Sequence, residues 1–275
     1  MASSAPAQVR STASKLPARV REHNLTLVAA GVAFYAFLAI VPTLVAVVSI
    51  YGLVANASDI SRQVEDIGSL PSEVQDFLVY QLTNIANANR AGVSVTVIVA
   101  IALALWSASG GMAALITGLH VALEKEEPKG FVVKRGKALL LTLGAIVFVC
   151  LIVFLISALP PLLSDLGLGD AGRLAFDIVR WPILAVLMLI GIGLLYRYSV
   201  KGRRRGWLGV VTPGAVVAMV GWLAASALFA AYTANFASYG KTYGALASIV
   251  VLLLWLWLSA VVVLVGAEID GADES

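Results

Sequence analysis

Charge is what this sequence has least of. Only 13% of its 275 residues are Asp, Glu, Lys or Arg, where a water-soluble domain carries about 25%. Half the usual charge cannot coat a water-facing surface, so the excess apolar side chains must meet something other than water. Cysteine is nearly missing too. Cys150 stands alone in an apolar run, which excludes an intrachain disulfide and reads as a packed side chain. The two histidines, His23 and His120, lie far apart, neither in an acidic cluster with metal-ligand spacing. There is no Gly-x-Ser-x-Gly elbow and no phosphate-binding Gly-rich loop. The expectation is therefore a non-enzyme with no cofactor and no metal, its histidines capping helices or lying at an interface.

What is present is hydrophobic length. The chain is 60% hydrophobic, with a mean hydropathy of +0.93. A helix needs roughly 20 apolar residues to cross about 30 Å of hydrocarbon, and six intervals qualify: 25–54, 93–119, 138–159, 181–198, 210–232 and 245–267. They are continuously apolar, without the alternation of barrel strands. The predicted fold class is an all-α membrane protein, a bundle of about six transmembrane helices. Residues 1–24 form a tail, 25–270 the membrane domain and 271–275 an acidic tail. The first interval exceeds the bilayer, and Pro42, which cannot donate to the Leu38 carbonyl, is the expected bend. Pro160-Pro161 stops the third span, and Pro213 opens the fifth. Between the first two spans, Val74, Phe77, Leu78, Leu82 and Ile85 recur at helical spacing. They predict an amphipathic helix over 72–89 on the extracytoplasmic side.

The basic residues set the orientation. The N-terminal tail carries four, the second-to-third connection five and the fourth-to-fifth connection five, fourteen of the nineteen in all. The positive-inside rule puts these segments, and both termini, in the cytoplasm. Because the basic residues lie between apolar runs, they do not read as a nucleic-acid surface; membrane lipids are the expected partners.

The span cores lack Asp, Glu, Lys, Arg and His, which disfavours an ion-driven pump of charged solutes. Gly31, Gly191, Gly193, Gly221, Ala225 and Ser226 read as close-packing positions. Ser109-Gly110-Gly111 reads as a break or re-entrant element in the second span, and the Trp106-x-Ala-Ser run there recurs loosely as Trp222-x-Ala-x-Ser in the fifth. Glu268 falls where the negative end of the sixth helix dipole disfavours a carboxylate. A basic partner is expected among Lys134, Arg135, Lys137 and Arg203 to Arg205, the alternative being a solvated carboxylate. At the other end, Tyr239, Lys241, Thr242 and Tyr243 form a candidate ligand site. Thr242 caps the sixth helix there, and Lys241 beside the free N–H groups suits a lipid phosphate. The alternative is an ordinary aromatic belt with a snorkelling lysine.

Four stretches together carry a resemblance. They are LTLVAAGVAFYAFLAIVPTL in the first span, LWSASGGMAAL in the second, Thr212-Pro213-Gly214-Ala215, and the terminal run SYGKTYGALASIVVLLLWLWLSAVVVLVGAEID. In order and spacing the chain resembles the YihY/BrkB family of bacterial inner-membrane proteins, from Asn24 to Asp270. One departure is Gly110-Gly111, where the family often has a basic residue. The resemblance implies a six-helix, multi-pass protein of the inner membrane that transports a lipid or other amphiphilic envelope component. The alternative it implies is a non-transporting envelope scaffold or stress-resistance protein that binds lipids or partner proteins. The family has also carried a ribonuclease label, for which these residues supply neither metal ligands nor an acid–base pair in sequence proximity.

Overall fold

The computed structural model describes residues 16–54, 95–126, 130–153, 155, 169–200, 210–243 and 245–274. Side chains are described within these ranges except at 41, 43–54, 95–97, 100–101, 153, 169–178, 234–248 and 273–274. The expected helix over 72–89 and the Pro160-Pro161 stop lie outside the described residues.

Among the described residues there are helices and no strand. A short α1 (Leu16–Glu22) turns by 60° into α2, which runs over Leu25–Val54. Then follow α3 (Val95–Ala122), α4 (Phe131–Val153), α5 (Gly169–Ser199), α6 (Pro213–Tyr243) and α7 (Ala245–Glu274). Among the described residues, five helices are long and apolar enough to cross a membrane, or six if the bent α1–α2 pair is one span. The all-α membrane bundle is the architecture expected.

Boundaries differ where apolar length and helix length part company. A helix continues as long as its backbone is bonded, whether or not its side chains suit lipid. So α4 begins at Phe131 rather than Ala138, carrying Lys134, Arg135 and Lys137 in its first turns. Likewise α5 starts at Gly169 and α6 continues to Tyr243. The residues read as a terminal acidic tail belong to α7, which stays helical to Glu274. The sharp turn of the first span falls at His23-Asn24, with Asn24 at φ 49. Pro42 stands inside α2, helical on both sides of it. The expected break at Ser109-Gly110-Gly111 is absent, since α3 runs through all three residues. The Ser109 hydroxyl donates to the Trp106 carbonyl 2.7 Å away, so it is satisfied within its own helix.

The chain divides into two compact units, residues 1–37 with 111–275, and residues 38–110. The smaller holds the second part of α2 and the first part of α3, where Ala39, Ala104, Ala108 and Ser109 are buried. In the larger, α6 packs along α7, α5 against α6 and α4 against α5. Its core is built from Leu25, Ala29, Val32, Leu119, Leu123, Tyr196, Ala218 and Leu264 with their neighbours. Small residues let backbones meet. A Cβ on Gly111 would lie 3.1 Å from Ala36 Cα, so α3 crosses α2 closely there. Gly191 abuts the Phe148 ring, Gly193 the Val210 carbonyl and Gly221 the Val262 side chain, as their small size suggested. Gly31 is different, with nothing within 4 Å of where its Cβ would stand. Large apolar side chains such as Leu27, Leu103, Leu140, Val147, Trp181 and Leu228 point outward and are exposed, as a lipid-facing surface requires. Cys150 is exposed among them, on the outer face of α4, and not packed as its apolar setting implied.

Candidate functional site

A group of polar side chains of the larger unit collects at one end, where α1, the end of α3, the starts of α4 and α6 and the ends of α5 and α7 come together. Glu268 is its centre. It lies near the end of α7 and is fully buried. Arg19 of α1 places Nε 2.6 Å from Glu268 Oε1, and His23, in the turn after α1, places Nδ1 2.9 Å from Oε2. A buried carboxylate is tolerable only when its oxygens find charge or donors; Arg19 supplies the charge at Oε1, and the His23 ring stands against Oε2. The expected basic partner exists, but it is Arg19 rather than any cation of the α4 or α5–α6 segments. The 60° turn at Asn24 is what folds Arg19 back against α7.

Glu124 closes the cluster from α3. Its carboxylate oxygen lies 2.8 Å from Arg19 Nη2 and 3.5 Å from His23 Nε2. The Nη2 contact is within ion-pair distance but lacks hydrogen-bond alignment. The backbone explains how Glu124 gets there. The Lys125 N–H bonds the His120 carbonyl and the Glu124 N–H bonds the Val121 carbonyl, at 3.0 and 3.2 Å. That is a Schellman ending, whose penultimate position takes the left-handed conformation usually given to glycine. Here Glu124 adopts it, at φ 50. A non-glycine residue there costs about 1–2 kcal/mol.

A second carboxylate lies two residues further along α7. Asp270 accepts from the Gly214 N–H at 2.7 Å and from the Thr212 hydroxyl at 2.6 Å. Thr212 in turn accepts the Ala215 N–H at 3.1 Å, so it caps α6, and Pro213 occupies the first helical position where no N–H is needed. Asp270 adds a negative charge at the positive end of the α6 dipole. Nearby, the Tyr196 hydroxyl donates to the Val263 carbonyl, and Lys137 Nζ donates to the Ser199 carbonyl at 2.7 Å. Trp257 Nε1 donates to the Thr26 carbonyl at 3.1 Å, tying α7 to α2. His120 is buried rather than interfacial. Its Nδ1 bonds the Ile116 carbonyl one turn back, at 2.8 Å, and its Nε2 is buried without a partner.

The family model described as virulence factor BrkB matches residues 16–274, nearly the whole chain. The chain belongs to the BrkB family. Within that family setting, it is 36% identical over 172 residues to the ribonuclease-like protein YfkH of Bacillus subtilis (strain 168), covering 61% of this chain and 62% of that protein. It is 28% identical over 272 residues to a UPF0761 membrane protein of Verminephrobacter eiseniae (strain EF01-2), covering 94% of this chain and 61% of the relative. A UPF0761 membrane protein of Alteromonas mediterranea is 42% identical over 71 residues, 26% of this chain and 24% of the relative. The chain thus spans less than two thirds of the length of each of these relatives. No solved structure matches it.

In this BrkB chain the residues picked from sequence do not form one site. Glu268 and Pro213 stand at the polar end just described. Pro42, Ser109 and Gly110 belong to the smaller unit, while Gly111 serves helix packing in the larger. Tyr239, Lys241, Thr242 and Tyr243 lie in the last turns of α6, with side chains outside the described residues. Thr242 is still within α6, and α7 starts only at Ala245, so Thr242 does not open α7. Sequence reading missed Arg19, His23, Glu124 and Asp270 as one constellation. His23 and Glu268 are 245 positions apart, beyond the reach of any local spacing rule. The one available signal was a carboxylate at the unfavourable end of a helix.

Proposed function

We propose that this protein moves a lipid or another amphiphile of the bacterial envelope across or within the inner membrane, with both termini in the cytoplasm, and that it is not an enzyme. One observation carries the reading. Among the described residues of the larger unit, the buried histidine and carboxylates, His120, Glu268 and Asp270, gather at one end of the bundle. Carriers of charged solutes place such groups along the membrane path, while here Glu268 and Asp270 tie helices together at the end of the bundle. The described spans away from that end are apolar or hydroxylic, which suits a cargo that is itself largely hydrocarbon. The orientation rests on the sequence distribution of the basic residues; among the described ones, Arg19 and Lys137 make their contacts at this end.

Flux of fluorescent phospholipids in proteoliposomes is expected to exceed that of protein-free vesicles. Equal flux for phospholipids of several headgroups would reject transport and favour the envelope scaffold. The same preparation should leave RNA intact with or without divalent metal, although its relative YfkH is named ribonuclease-like. Cleavage lost in His23→Ala or His120→Ala would overturn the non-enzyme reading. Orientation is tested in a Cys150→Ala background. A cysteine at Gly202 should resist an impermeant thiol reagent in intact cells and one at Ser238 should react; the reverse pattern would invert the topology.

A further inference from the structure

We propose that His23, Glu124 and Glu268 bind one divalent transition-metal ion of the Zn2+ or Mn2+ class, which staples α1, the end of α3 and α7 together. One ligand atom from each residue lies within 4.8 Å of the others. The ring of His23 supplies the argument. Its Nδ1 stands 2.9 Å from Glu268 Oε2 and its Nε2 3.5 Å from Glu124 Oε1. A neutral imidazole has one N–H, so in either tautomer one ring nitrogen stands beside a carboxylate oxygen with a lone pair and no proton. The local charge is unbalanced in the same sense, two carboxylates against the single guanidinium of Arg19. One further positive charge between ring and carboxylates removes both conflicts. A metal ion supplies it by taking the ring lone pair and one oxygen from each glutamate.

The donor set selects the ion. One nitrogen and two carboxylate oxygens suit Zn2+ or Mn2+, whereas Ca2+ and Mg2+ favour oxygen throughout. Arg19 does not have to leave. It holds Glu268 through Oε1, at 2.6 Å, and Oε2 is the oxygen turned to the ring. It would act as the outer partner that orients a ligating carboxylate. Glu124 is 48% exposed, so the site opens to water on its side, giving an ion a way in and leaving room for water ligands.

The test uses the full chain in detergent, stripped with chelator and then titrated with ZnCl2 or MnCl2. About one equivalent of metal should remain after desalting. The melting temperature should rise by roughly 5–10 °C at a hundredfold excess over Kd, and EDTA should reverse the rise. His23→Ala and Glu124→Ala should each stay folded by size-exclusion chromatography and lose both the bound metal and the shift. His120→Ala, which alters a histidine outside the cluster, should keep them. Failure to retain either metal, or an undiminished shift in His23→Ala, would overturn the proposal. So would stabilisation that follows pH and ignores both metals, because the extra positive charge would then be a proton on the ring.

Discussion

Arg19→Ala is expected to lower the melting temperature by on the order of 10 °C. The substitution leaves Glu268 fully buried with its charge unmatched on Oε1, and leaves Glu124 without its guanidinium. Removing one partner of a buried pair costs about 3–5 kcal/mol, mostly the penalty of the stranded charge. In a chain of this size each kcal/mol moves the melting temperature by about 2–4 °C. Glu268→Gln should cost less, because Glu124 still offers Arg19 a carboxylate. The double variant Arg19→Ala/Glu268→Gln should be more stable than Arg19→Ala alone, since the stranded charge is gone. A cycle in which the two losses simply add would show that the pair is not coupled. The readout is thermal unfolding in detergent, in metal-free buffer so that the ion pair is measured alone.

Gly266→Ala is expected to do comparable damage by a different route. Where α6 meets α7, the Cβ positions of Gly214 and Gly266 each run into the other residue's carbonyl oxygen. A Cβ on Gly266 would also lie 2.7 Å from Ala218 Cβ and from the Tyr196 hydroxyl. None of these is the loose end of a long side chain, so the helices must separate. Overpacking costs about 1–3 kcal/mol. Separation also pulls Gly214 and Thr212 away from Asp270, adding about 1 kcal/mol for the damaged cap. Gly31→Ala is the control: open space surrounds its Cβ position, and alanine favours a helix over glycine by about 1 kcal/mol. The folded fraction after mild heating should rank Gly31→Ala at or above wild type and Gly266→Ala far below it. Equal survival of the two variants would remove close backbone packing as the basis of this interface.

Legibility followed the range of the forces involved. Long apolar runs between basic clusters announce membrane helices, because a lipid-facing segment must satisfy its backbone bonds by itself. The start of α6 at Thr212-Pro213 was legible for the same reason, the Thr212 cap and Pro213 lying within four residues of each other and of Ala215, although the part Asp270 plays there was not. Helix ends were legible only where such a local stop existed. At Phe131, Gly169 and Tyr243 the helices outrun their apolar stretches, and hydropathy marks where lipid is tolerable, not where backbone bonding stops. The double glycine of α3 misled in the opposite direction. Glycine weakens a helix by only about 1 kcal/mol, and Gly111 offsets that by allowing the approach of α2.

By itself, the sequence determined the class of solvent around this protein, the helical state of its apolar stretches and the family. All of these depend on composition and on contacts a few residues apart. The polar end was decided only by the tertiary structure. Glu268 was recognisable as a carboxylate in need of a cation, and the chain offers many cations. Which one reaches it depends on a 60° turn at Asn24 and on a left-handed residue at Glu124. These two bends carry Arg19, His23 and Glu124 onto the last turns of α7, where burial makes the choice of partner energetically decisive.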